Sequence, residues 1–151
     1  MELVIGPFDP VAHVLARDHY QAVRREAALL DAGPSSPPVR YGALIGELYQ
    51  GLGLGPVTEA VDRAFVAGEA AFSATVELPD EAAPELLRTC QDLAAVLAEL
   101  DGWGRQQGGE LLVAPEPVRA YQQAFLAQVH AQLAAAADPG PEEERWPANR
   151  G

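Results

Sequence analysis

The sequence contains no lysine. All ten of its basic residues are arginine, which removes Schiff-base chemistry and the lysine that grips phosphate in a Walker-type loop. Beside abundant alanine, glycine and proline, and a single asparagine at Asn149, this absence reads as the coding bias of a GC-rich genome rather than as a device. Cys90 is the only cysteine, so no intrachain disulfide can form, which suits a reducing compartment. The serines are Ser35, Ser36 and Ser73, none in the Gly-x-Ser-x-Gly setting of a nucleophile elbow. No run approaches the ~18 apolar residues of a membrane span. The start, Met1 to Pro7, has neither the basic region nor the apolar length of a signal peptide. The expectation is a cytoplasmic chain without a membrane partner.

What is present is acid. The net charge is −12 over 151 residues, and an acidic surface repels phosphates, which argues against nucleic acid as a partner. The length fits one domain able to bury a core unaided. Residues 1–137 are assigned to that domain. Residues 138–151, with Pro139, Pro141, Pro147 and Glu142 to Glu144, are expected to form a mobile acidic tail that Trp146 could dock.

Apolar spacing predicts five helices. The first is opened by Asp9 as N-cap and Pro10 and runs to about Ala32, with Val11, Leu15, Ala22, Val23, Leu29 and Leu30 as its apolar face. The second carries Tyr41, Leu44, Ile45, Leu48, Tyr49 and Leu52, and Gly42 and Gly46 are expected to admit a close neighbour. The third begins at Pro56 and ends at Gly68, burying Val57, Ala60, Val61, Ala64 and Phe65. The fourth follows Pro84 with Leu86, Leu87, Cys90, Leu93, Ala94, Leu97 and Leu100, and the fifth follows Pro117 with Val118, Tyr121, Phe125, Val129 and Leu133. Strands are read at Phe72 to Leu78 and Glu110 to Val113, each stopped by a proline before a helix, an order that implies a parallel crossover. Two short strands make a poor sheet, so either Leu3-Val4-Ile5 or a second subunit is expected to complete it. The fold class is mainly α, or α+β with minor β, of about five helices and a small short-stranded sheet.

Few constellations carry chemistry. Gly51-Leu52-Gly53-Leu54-Gly55-Pro56 follows a helix and lacks a lysine, so it reads as a helix-to-helix turn rather than a phosphate cradle. His13 and His19 are six apart and do not share a helix face, and with His130 they make no metal-ligand set. Cys90 sits among leucines and reads as an inert buried thiol. Neither a metal nor a cofactor is expected. The first helix is less ordinary, because Asp18, His19, Arg25 and Glu26 fall within or beside its apolar face. A charge there must be paired, which makes them a candidate polar network or a ligand or partner site. Asp101, Trp103 and Arg105 at the end of the fourth helix suggest either a cap with an ion pair or a small pocket.

Several segments together resemble a helical regulatory domain of actinobacterial proteins, commonly found ahead of a histidine-kinase-like ATP-binding domain of the anti-sigma-factor type. They are Asp18-His19-Tyr20 with Arg24-Arg25-Glu26, Pro38-Val39-Arg40-Tyr41 through Glu47-Leu48, Ala67-Gly68-Glu69 and Val76-Glu77-Leu78-Pro79. Glu99-Leu100-Asp101-Gly102-Trp103-Gly104-Arg105, Leu111 to Pro115, and Tyr121 with Phe125 complete the set. This chain departs from the pattern in lacking the ATP-binding domain and in placing Ala124 where a tryptophan is expected. The resemblance implies a signalling or interaction module, and adds Arg40 and Glu47 to the candidate residues. The leading expectation is thus a non-enzymatic regulatory or adaptor domain that binds a protein partner, such as an ATP-binding anti-sigma-type protein, in sigma-factor or kinase-like signalling. A homodimer is a further expectation. Two alternatives stay open: a small-molecule sensor with a pocket between helix 1 and the Trp103 turn, and an enzyme with a dispersed acid–base site around His19 and Glu26.

Overall fold

The computed structural model describes residues 1–107 and 112–137. Strand β1 (Glu2–Phe8) is followed by helices α1 (Pro10–Leu29), α2 (Pro37–Leu52) and α3 (Gly55–Ala67). Strand β2 (Phe72–Glu77), a 3-10 turn at Asp80–Ala82, and helices α4 (Ala83–Gln106) and α5 (Glu116–Ala137) complete the order. The protein is mainly helical with a small two-stranded antiparallel sheet.

The helix starts follow their local chemistry. Asp9 accepts a hydrogen bond from the Val11 N–H at 2.8 Å, and Pro10 occupies the first turn, where a missing donor is harmless. α3 ends at Gly68, whose φ of 68° is the left-handed conformation that favours glycine after a helix. Helices α2, α4 and α5 converge on one core with Tyr41, Leu48, Leu93, Val96, Val129 and Leu133, while Leu3, Ile5 and Val76 join it from the sheet.

The strand pairing differs from the crossover expected from sequence. β2 pairs with β1, antiparallel, in the register Leu3↔Val76 and Ile5↔Ala74. The second expected strand falls partly on Glu110 and Leu111, which lie outside the described residues, and Leu112 and Val113 take no part in the sheet. The expected tail, 138–151, also lies outside them. Four apolar residues before a proline have the composition of a strand, but Leu112 is instead wholly buried in the core on the way from α4 to α5.

Two packing expectations are corrected as well. Leu86 of α4 packs against Gly51, where a Cβ would collide with it, whereas a Cβ at Gly42 would meet only Arg24 at 3.7 Å and one at Gly46 would meet nothing. The close approach of α2 and α4 therefore depends on Gly51. In α1 the buried positions are Ala16, His19, Val23 and Ala27, while Val11, Leu15, Leu29 and Leu30 remain exposed. Small side chains let a helix sit close to its neighbours, so the alanine side faces α2 and α5 and the larger residues are turned outward. Phe65 is likewise 47% exposed rather than buried.

Candidate functional site

Three of the residues singled out from sequence come together. His19 of α1, with Asp101 and Arg105 from the end of α4, lines a groove of about 810 Å³ whose other wall is the Arg119, Gln122, Gln123, Leu126, Ala127 and His130 face of α5. That face follows helical spacing, so one side of α5 is presented along the groove.

Asp101 builds one end of this groove. One carboxylate oxygen forms an ion pair with Arg119, and the other accepts the Ala114 N–H at 3.2 Å. The side chain thereby ties the C-terminal end of α4 to the entry into α5. Its partner Arg119 was not recognised from sequence; the sign available was an arginine one turn inside α5, the helix that follows the one whose last turns carry Asp101. Trp103 is half-buried against the core beside them, and Arg105 is exposed at the groove.

His19 is 8% exposed, and neither ring nitrogen has a hydrogen-bond partner among the described residues. Burial lowers its pKa, a pull that the Leu112 backbone opposes without completing a hydrogen bond. The ring is therefore a neutral imidazole, with one donor and one acceptor to offer. Cys90 lines the same groove, 2% exposed, and burial pushes its thiol up to about 11, the inert state expected of a structural cysteine.

The other candidates are dispersed. Asp18 and Arg25 are exposed, Glu26 is half-buried, and none of the three forms an ion pair or a side-chain hydrogen bond among the described residues. No buried network joins them, because the outward turn of α1 carries them toward water. Arg40 meets Glu99 at 3.0 Å, both well exposed, a pair worth about 0–1 kcal/mol. Glu47 is exposed on α2.

The other histidine of α1 has a partner at one ring nitrogen. His13 Nδ1 lies 2.6 Å from the Tyr121 hydroxyl, and burial, with Arg17 nearby, lowers its pKa. Tyr41 accepts from Gln122 Nε2 at 3.1 Å, and burial raises the pKa of Tyr41, Tyr49 and Tyr121. These groups surround a cavity of only about 30 Å³, room for about one water and too little for a ligand.

The sheet holds a second candidate surface. On the outer edge of β1, the Gln132 amide accepts from the Val4 N–H and donates to the Val4 carbonyl, both at 2.8 Å, and Gln128 does the same for Gly6 at 2.8 and 2.9 Å. The match is geometric, since four helical residues advance about 6 Å and two strand residues about 6.7 Å. Among the described residues β2 has no such cover. Val4 points its backbone groups away from β2, so its unbonded opposite Thr75 points away from β1, as does Glu77 opposite Glu2. Ser73 follows by alternation. No described residue bonds the backbone groups of Ser73, Thr75 or Glu77 along this edge. Beside Ser73 to Thr75 lies a groove of about 290 Å³, bordered by Pro56, Glu59 and Arg63 of α3.

Among the described residues no group of three or more histidine, cysteine or acidic side chains is arranged to hold a metal ion. No described helix is long and apolar enough to cross a membrane. No protein-family model, curated protein or solved structure matches this chain.

Proposed function

We propose that this chain is a non-enzymatic regulatory domain of the adaptor type, which binds a protein partner by taking one of the partner's extended segments onto the outer edge of β2. The observation that carries this reading is the backbone of Ser73, Thr75 and Glu77, unpaired among the described residues, beside the α3 groove. An extended segment laid there gains main-chain hydrogen bonds, and alternate side chains of the segment would meet Pro56, Glu59 and Arg63. The asymmetry with β1 supports it, since an exposed edge invites pairing and this fold covers one edge and not the other. The resemblance to actinobacterial regulatory domains suggests an ATP-binding anti-sigma-type protein as the partner, in cytoplasmic sigma-factor or kinase-like signalling.

Calorimetric titration against an ATP-binding anti-sigma-type protein of the same organism tests this, with Thr75→Pro as the diagnostic variant. Proline removes the outward N–H of Thr75 and no bond to β1, so the fold should persist while affinity falls about tenfold or more. Hydrogen exchange should show the Thr75 and Glu77 amides exposed in the free chain and protected in the complex. Equal binding by the proline variant, or no binding at all, sinks the proposal. A free chain that is dimeric and becomes monomeric on Thr75→Pro would assign the edge to a second copy instead.

A further inference from the structure

The outer side of α1 shares no residue with the β2 edge and is apolar where water would meet it. Val11, Leu15 and Leu29 are exposed there, Leu29 by 80%, although their spacing predicts a buried face. With Asp18, Ala22 and Arg25 they fall at i, i+4, i+7, i+11, i+14 and i+18, so all six share one stripe down the helix. Asp18 and Arg25 are exposed and form no ion pair among the described residues, and Ala22 is half-buried between them.

The order of residues along the stripe indicates what covers it. Leu15 and Leu29 stand two turns to either side of Ala22, and Asp18 and Arg25 one turn to either side. A stripe arranged in this way is complementary to itself when turned end for end. Laid antiparallel on a second α1, Asp18 of each copy meets Arg25 of the other, and Leu29 of each fits between Val11 and Leu15 of the other. The small Ala22 then lies beside the twofold axis, where the two helices come closest. A parallel pairing would set Asp18 on Asp18 and Arg25 on Arg25, which like-charge repulsion opposes.

The charge of the whole molecule favours the same face. The chain carries −12 overall, but α1 holds Arg17, Arg24 and Arg25 against Asp18 and Glu26. An approach through this helix therefore brings cationic rather than acidic surface together. We infer that α1 is the contact surface of a homodimer, in which the stripe from Val11 to Leu29 packs antiparallel on its twofold mate. The stripe is about 27 Å long and one helix wide, small for a protein interface, so the association is reversible and each protomer folds without it.

Sedimentation equilibrium of the full chain at concentrations up to about 1 mM tests this, and dimer formation that is half-complete below that concentration is expected. Leu29→Gln should weaken association about tenfold or more, and so should Asp18→Arg or Arg25→Asp alone, since each leaves only like charges facing across the axis. An equimolar mixture of the two charge variants should associate again, because each supplies the charge that the other lacks. The double variant, Asp18→Arg with Arg25→Asp, should dimerise as the native chain does. All these positions are exposed, and circular dichroism of each variant in dilute solution should match the native chain. A chain that stays monomeric at about 1 mM, a dimer unaffected by Leu29→Gln, or single reversals that the mixture fails to rescue overturns the inference. A dimer lost on Thr75→Pro but kept on Leu29→Gln overturns it as well, and assigns the contact to the β2 edge.

Discussion

On one side of α5, Gln128 and Gln132 commit both ends of their amides to the backbone of β1. On the side that lines the groove, Arg119 pairs with Asp101 and Gln122 donates to Tyr41, whereas Gln123, His130 and the neighbouring Arg105 bond no described side chain. The same helix thus carries two sets of polar residues with different fates. Where the hydrogen-bonding capacity is exhausted by backbone, a side chain holds the fold, and its removal strands buried groups. Where the capacity remains, removal costs the fold little. The outer edge of β2, whose backbone groups no described residue bonds, belongs with the second set.

The sharpest way to test the first set is at its anchor. Gly6 has a φ of 102°, and a Cβ there would lie 2.5 Å from the Phe72 carbonyl oxygen and 3.0 Å from the Ser73 Cα. Gly6→Ala should therefore cost about 3 kcal/mol in urea denaturation, from backbone strain plus a clash that only strand displacement can relieve. A loss under ~1 kcal/mol would mean that β1 can slide, and that the glutamine clamps do not fix its position.

Gln128→Ala should cost about 2 kcal/mol and Gln132→Ala about 1 kcal/mol, because the groups left unpaired at Gly6 are partly buried and those at Val4 are exposed. Equal, negligible losses would erase the distinction between the two sides of α5. Hydrogen exchange at the Val4 and Gly6 amides gives a second readout, with faster exchange expected in the matching variant.

A pH series sharpens the second set. Both His13 and His19 have pKa values lowered from the ordinary 6.5, so the folded chain binds fewer protons than the unfolded chain in acid. Their contribution to stability is complete above pH 6.5 and is lost as the pH falls below that value toward the folded pKa values. Replacing His19 by Gln should flatten this decline, leaving the part due to His13. An unchanged pH profile would show that the His19 ring reaches water and is not isolated.

The smallest effects belong to charges that are exposed or, at Glu26, half-buried without a partner among the described residues. Arg105→Ala, Arg25→Ala and Glu26→Ala should each change stability by less than about 0.5 kcal/mol. The two α1 substitutions discriminate between the sequence expectation and the fold, since truncating one partner of a buried charged pair costs about 3–5 kcal/mol. A large loss at Arg25 would restore a packed polar network to α1.

Much of the architecture was legible because it rests on local chemistry. The Asp9-Pro10 start of α1, the Gly68 stop of α3 and the stripe from Val118 to Leu133 in α5 each follow from neighbours in sequence, and the structure contains them. The candidate site was legible only in part. His19, Asp101 and Arg105 were singled out and do line one groove, but the reasons came from position on a helix and not from their meeting. Arg119 and the glutamines of α5 escaped notice because a helix-surface arginine or glutamine has no distinctive spacing until its partner is known. The edge role of Gln128 and Gln132 could have been suspected from their i, i+4 spacing, had β1 been known to lie beside them.

The sequence by itself determined five helices, the Asp9 cap of α1, the Gly68 stop of α3 and the strongest buried stripes, since a periodicity of 3.6 and the backbone limits of proline and glycine act within a few residues. It also determined the acidic charge and the all-arginine basic set. Only the tertiary structure decided that β2 pairs with β1, that α1 buries Ala16 and Ala27 beside Val23 in place of Val11, Leu15 and Leu29, and that the His19 ring nitrogens have no hydrogen-bond partner among the described residues. Spacing says which residues share a face. Which face is covered depends on how closely the neighbouring elements can approach, and that is settled by small residues such as Gly51 and Ala16 on elements distant in sequence.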